Sequence, residues 1–129
     1  MKTKTLHQTI AFKATPHEVY EALMDSKKHT DFTEAKAVIS RDIGGKFTVF
    51  DGWASGENVE LVKDKKIVQT WRSADWPDNH YSTITFALKQ KGVETILDFT
   101  QTEIPMGFYN DIKQGWTDWY WEKLKVYLE

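Results

Sequence analysis

Four histidines, His7, His17, His29 and His80, are the side chains best suited to acid–base or metal chemistry in this chain. There is no cysteine, which removes disulfides, thiolate metal sites, iron–sulfur clusters and cysteine nucleophiles together. A histidine metal site needs its ligands on one face, as in His-Glu-x-x-His. No two of these histidines are spaced that way, so no metal centre is expected. His29 with Asp31 and Glu34 comes nearest to a ligand cluster, and it reads better as the solvated face of a polar helix. His80, in a loop near Asp75 and Asp78, is the one candidate for an acid–base pair, although hydrogen bonds to its loop neighbours account for it more simply. Gly52-Trp53-Ala54-Ser55-Gly56 places its serine one position late for a nucleophile elbow. Gly44-Gly45 lacks both the Lys-Ser/Thr and the following helix of a phosphate cradle, and reads as a strand entry that needs positive φ. These groups do not combine into a catalytic set. We expect neither enzyme activity nor a cofactor.

What the composition does emphasise is aromatic area: 14% of 129 residues, with six tryptophans. Such side chains make a bulky core, a cavity wall or a binding face. Seventeen Lys and Arg against nineteen Asp and Glu give a net charge of −2, without the clustered basic surplus that nucleic acid requires. No apolar run reaches the roughly 18 residues of a membrane span, and the start, MKTKTLHQTIAFK, has no apolar signal region. The expectation is a cytoplasmic protein of one domain, 1–129.

The elements that would position these rings can be read from periodicity. Leu6, Gln8, Ile10 and Phe12 share one face of an alternating segment, the period of a strand. Thr15-Pro16-His17-Glu18 is a capping box with proline at the first helical position, and Val19, Tyr20, Leu23 and Met24 continue it as an amphipathic helix. A second short, polar helix capped by Ser26 is expected to run to Phe32. Period-two segments follow, AKAVIS, KFTVF, GENVELVK, KIVQTWR, YSTITFALK and VETILDFTQT, with tight turns at Asp64-Lys65 and Gln90-Lys91-Gly92. Short turns between sequential strands favour an antiparallel meander. After Ile104-Pro105-Met106-Gly107 a long helix carries Ile112, Trp116, Trp119, Tyr120, Leu124, Tyr127 and Leu128 on one stripe. At about 100° per residue, Trp116 and Trp119 face inward while Trp121 is turned about 140° away, onto the sheet edge or the surface. The packing solution is an α+β fold: six to seven antiparallel strands curved around the long C-terminal helix, with two short helices after the first strand.

That order of elements is the order of the helix-grip, START-like superfamily. Within it, Gly44-Gly45-x-Phe47, Gly56-Glu57, Glu60-Leu61, Ile67-Val68-x-x-Trp71-Arg72, Trp76-Pro77, His80-Tyr81 and Gly115-Trp116 resemble the activator of heat-shock protein 90 ATPase family. The resemblance is to the C-terminal domain of that co-chaperone, whose further N-terminal domain has no counterpart in these residues. Lys63 stands where many relatives place proline, which bears only on the stiffness of one hairpin.

The resemblance implies a non-enzymatic binding domain with heat-shock protein 90 as its partner. It would act by population shift, holding the closed, ATP-hydrolysing form of the chaperone more tightly than the open one. Trp76 and His80 are the candidate partner-contacting residues. Trp76 in a polar loop either plugs one end of the core or is displayed to a partner. The alternative is a carrier or sensor of a small hydrophobic ligand held between sheet and helix. Phe47, Trp71, Ile84, Phe86, Leu97, Phe99, Trp116, Trp119 and Tyr120 would then be the cavity wall. The same rings could equally fill the space as core.

Overall fold

The computed structural model describes residues 1–129. The elements are β1 (Thr3–Phe12), α1 (Pro16–Met24), α2 (Ser26–Thr33), β2 (Val38–Ile39), β3 (Lys46–Val49), β4 (Ala54–Val62), β5 (Lys66–Ser73), β6 (Ser82–Lys91) and β7 (Glu94–Pro105). A 3₁₀ turn, Met106–Phe108, then leads into α3 (Tyr109–Gly115), a π-helical stretch (Trp116–Trp121) and α4 (Glu122–Leu128). The strands form a single seven-stranded sheet in the order β1-β7-β6-β5-β4-β3-β2, every neighbouring pair antiparallel. The α+β architecture expected from the sequence is the one observed.

Alternation decides which face of the sheet meets the helices. Ile67, Gln69, Trp71 and Ser73 of β5 are buried, as are Ser82, Ile84, Phe86 and Leu88 of β6, while Arg72, Val68 and Thr70 point the other way and are half-buried. α1 begins as the capping box requires, with Glu18 N donating to Thr15 Oγ1 at 3.1 Å and Thr15 N to Glu18 Oε1 at 3.0 Å. The bonds that Thr15 N and Thr15 Oγ1 donate to Glu18 Oε1 hold the Glu18 carboxyl below the usual carboxylate range.

Three local expectations are corrected. The N-cap of α2 is Asp25, whose side chain accepts from Lys28 N, and not Ser26. Ser26 Oγ instead accepts the Ile39 N–H at 2.9 Å, which ties β2 to the helix. His29 is not on a solvated face, because α2 buries His29 and Phe32 against the C-terminal helix. The C-terminal helix, finally, is not α-helical throughout. Glu122 N–H reaches back five residues to Thr117 O, and this wider turn brings Tyr120 and Trp121 inward together. Trp121 is 4% exposed and Trp119 is 56% exposed, the reverse of the straight-helix expectation.

Glycine falls at one close approach and at one turn of positive φ. A Cβ on Gly56 would overlap the Thr70 carbonyl of the adjacent strand, and Gly44 adopts φ +81 at the predicted strand entry.

Candidate functional site

A half-open, mostly aromatic cleft of about 290 Å³ is bounded on one side by the C-terminal helix and on the other by the β3–β4 turn and β5. Of the nine predicted wall residues, the structure brings Trp71, Trp116, Trp119 and Tyr120 to this cleft. Phe47, Ile84 and Phe86 lie deeper, around a void of only about 10 Å³ that Trp71 and Tyr120 close off from the cleft side. Leu97 and Phe99 are fully buried, with the Phe99 ring 4.4 Å from that of Trp116. The space between sheet and helix is therefore filled by side chains, and the open volume sits at one end.

Phe50, Trp53, Asp111, Ile112 and Gly115 also line the cleft and were not expected to. Ile112 and Gly115 stand four and one positions before Trp116, so helical spacing could have found Ile112. Phe50 and Trp53 lie in a turn, where period-two reading assigns no face. Phe50 and Asp51 occupy the left-handed region, φ +53 and +56, and Gly52 N bonds Val49 O to close the turn. That geometry lays the Phe50 ring 5.5 Å from Tyr120 and 6.3 Å from Trp53. A left-handed phenylalanine is a costly conformation for one lip of a cleft.

Behind the cleft, two polar chains fix the rings. Trp116 Nε1 donates to Gln101 Oε1 at 2.8 Å, Gln101 Nε2 to Ser82 Oγ at 2.9 Å, and Ser82 Oγ to Trp71 O at 2.8 Å. The helix wall is thereby registered on β7, β6 and β5. Tyr120 Oη lies 2.7 Å from His29 Nε2. Burial holds the Tyr120 hydroxyl far above the usual phenol range and lowers His29 to about 4, so both are neutral near pH 7. His29 Nδ1 and the indole nitrogens of Trp71 and Trp76 are buried with no partner.

Trp76 and His80 serve the loop after β5. Trp76 is 3% exposed, its ring 5.3 Å from Trp71 and 6.4 Å from Phe108. It plugs one end of the core, so the displayed alternative is corrected. Arg72 holds the loop from the other face, donating to Trp76 O at 3.0 Å and Pro77 O at 3.1 Å. His80 Nε2 donates to Glu103 O at 2.7 Å, where Glu103 takes φ +61 in β7, and Asp75 is bound to Trp53 Nε1 instead. The acid–base pair considered for His80 is not assembled. No group of three or more His, Asp or Glu side chains is placed to hold a metal ion, and no helix is long and apolar enough to cross a membrane.

Comparison with known proteins places this architecture. The family model "Activator of Hsp90 ATPase homolog 1-like protein" matches residues 13–129. The chain is 38% identical over 121 residues to the human "Activator of 90 kDa heat shock protein ATPase homolog 1", covering 94% of this chain and 35% of that protein. It is 29% identical over 121 residues to the Saccharomyces cerevisiae "Hsp90 co-chaperone AHA1", again covering 35% of that protein. The chain thus spans about a third of the length of these curated relatives. The crystal structure of an HSP90 activator from Plasmodium falciparum superimposes with a TM-score of 0.90 at 29% identity, covering 95% of this chain and 94% of that one. The solution structure of the Aha1 dimer from Colwellia psychrerythraea shares the fold, with a TM-score of 0.84 at 19% identity over 98% and 96% of the two chains. With the family model matched from Lys13 to the last residue, the chain belongs to the activator of Hsp90 ATPase homolog 1-like family.

Proposed function

We propose that this chain is a non-enzymatic domain that binds a heat-shock protein 90 in the cytoplasm and favours its closed, ATP-hydrolysing state. The observation that carries the reading is the match of fold and sequence together. A TM-score of 0.90 to the Plasmodium activator joins 38% identity over 94% of the chain to the human one. The residues that most resemble the family have structural duties that fit a rigid binding scaffold. Arg72 and His80 brace the Trp76 loop, and Gly56 lets two strands approach. An adaptor of this kind needs no reacting group. It shifts a conformational equilibrium only by binding one state better than the other.

The test is a titration of the isotope-labelled chain with the heat-shock protein 90 of its own organism, with and without a non-hydrolysable ATP analogue. Micromolar or tighter binding that strengthens with the nucleotide is the expected result. Equal binding in both states would remove the population-shift mechanism, and no binding would remove the partner.

A further inference from the structure

We infer that the aromatic cleft is a binding site for a small organic cation, an ammonium group carried on a compact apolar body. This does not rest on the chaperone reading. Phe50, Trp53, Trp71, Trp116, Trp119 and Tyr120 supply ring faces and edges around the cleft, and Asp111 is the one charged side chain lining it. Asp111 is exposed at the rim, and neither a hydrogen bond nor an ion pair engages its carboxylate. No lysine or arginine lines the cleft. Aromatic faces attract a cation through their quadrupole, more strongly as the site is desolvated. Here the floor residues Trp71, Trp116 and Tyr120 are only 3%, 4% and 6% exposed.

A second carboxylate reinforces the field. Asp75 Oδ2 accepts the Trp53 Nε1–H at 3.2 Å, which draws positive charge to the indole edge and leaves the ring face richer in electrons. Lys123 Nζ, 5.5 Å from the centre of the Trp119 ring, is met by the Glu34 carboxylate at 3.3 Å, which offsets its charge at the outer wall. Two costly backbone features border the cleft: the left-handed Phe50 at one lip and the π-helical stretch Trp116–Trp121 that forms one wall. Strained turns and π-segments of this kind cluster at functional sites. At about 290 Å³ the space is at the small end of ligand pockets. An aryl group fits against the floor with its ammonium at Asp111. An anionic ligand would meet Asp111 unfavourably, and a neutral one would gain only from apolar contact.

The six indole N–H signals of the full chain give a direct readout, because four of the tryptophans line the cleft and Trp76 and Trp121 do not. Three probes of one shape separate charge from shape: phenethylammonium, 2-phenylethanol and 3-phenylpropionate. The expected result is saturable shifts, largest at Trp53, Trp71, Trp116 and Trp119, with the ammonium bound about tenfold more tightly than the alcohol. Asp111→Asn, a change at an exposed rim position, should cut the ammonium's advantage over the alcohol severalfold, the remainder coming from the ring faces. Equal binding of alcohol and ammonium, preference for the carboxylate, shifts centred on Trp76 and Trp121, or no saturation at millimolar concentration would each overturn the proposal.

Discussion

Trp116 and Trp121 stack face to face, their ring centres 5.5 Å apart and their planes 20° from parallel, although they stand five residues apart on one helix. In a straight α-helix that spacing would turn the two rings to different faces. The i→i+5 bonding of the π-stretch closes the difference. Trp121 then reaches β1, donating from Nε1 to Gln8 Oε1 at 2.8 Å, while Trp116 reaches β7 through Gln101. Two adjacent strands are thus gripped by one stacked pair.

Trp119 and Trp121 should differ sharply in what they contribute. Trp121→Ala removes a buried ring and leaves Gln8 without its donor, for an expected loss of about 3–5 kcal/mol. Trp119→Ala removes a ring that is 56% exposed, and should cost less than about 1 kcal/mol. Urea midpoints of both variants check this. If Trp119→Ala proves the more damaging, the π-register is wrong.

Elements with a local signal were legible in the sequence. The capping box at Thr15 and Glu18, the hairpin turns at Asp64 and Gly92, and the alternation of β5 and β6 all depend on neighbours within a few residues, and each appears where expected. Features set by distant partners were not legible. His29 sits among Lys27, Lys28 and Asp31, so its segment reads as polar; only Tyr120, 91 positions away, explains its burial. The π-stretch likewise has no pattern of its own: it accompanies the packing of Tyr120 on His29 and of Trp121 on Gln8, both distant in sequence. Of the five cleft residues that were missed, Phe50 and Trp53 escaped for a related reason. A turn such as Phe50 to Trp53 has neither a helical nor a strand period from which to read a face.

The hydrogen bond from Trp116 to Gln101 gives a test of how much the polar chain contributes beyond the rings. Trp116→Phe keeps most of the stacking on Phe99 and Tyr120 but strands the Gln101 carbonyl, at an expected cost of about 1–3 kcal/mol beyond the smaller ring's lost contacts. Adding Gln101→Leu removes the stranded acceptor, so the double variant should be more stable than the sum of the two single losses predicts. Strict additivity in a denaturation cycle would mean the bond carries no coupling.

Glycine positions offer a contrast of mechanism. Gly92→Ala meets open space and only a left-handed φ of +61, for an expected cost of about 1 kcal/mol. Gly56→Ala drives a methyl into the Thr70 carbonyl between paired strands and should cost about 2 kcal/mol or more, since backbone cannot move as a side-chain tip can. Thermal or urea unfolding of the pair decides it, and similar losses at the two sites would show that β4 and β5 separate easily.

His29 should make the fold sensitive to mild acid. Its ring is packed by Phe32, Phe50 and Tyr120, and burial lowers its proton affinity from an ordinary value of 6.5 to about 4. Between those two values the unfolded chain binds a proton that the folded chain refuses, so stability rises with pH across the window and falls as the solution is acidified through it. Above about pH 6.5 both states are neutral and the term vanishes; below about pH 4 both are charged and the loss is complete. The fall from 6.5 to about 4 corresponds to about 3 kcal/mol at the limit. His29→Gln keeps a polar group toward Tyr120 but cannot titrate. Chemical denaturation at a series of pH values should therefore show the wild-type chain losing about 3 kcal/mol more than this variant between pH 6.5 and pH 4. Parallel pH profiles for the two proteins would mean that His29 accepts its proton in the folded state and that the pocket around Tyr120 admits water.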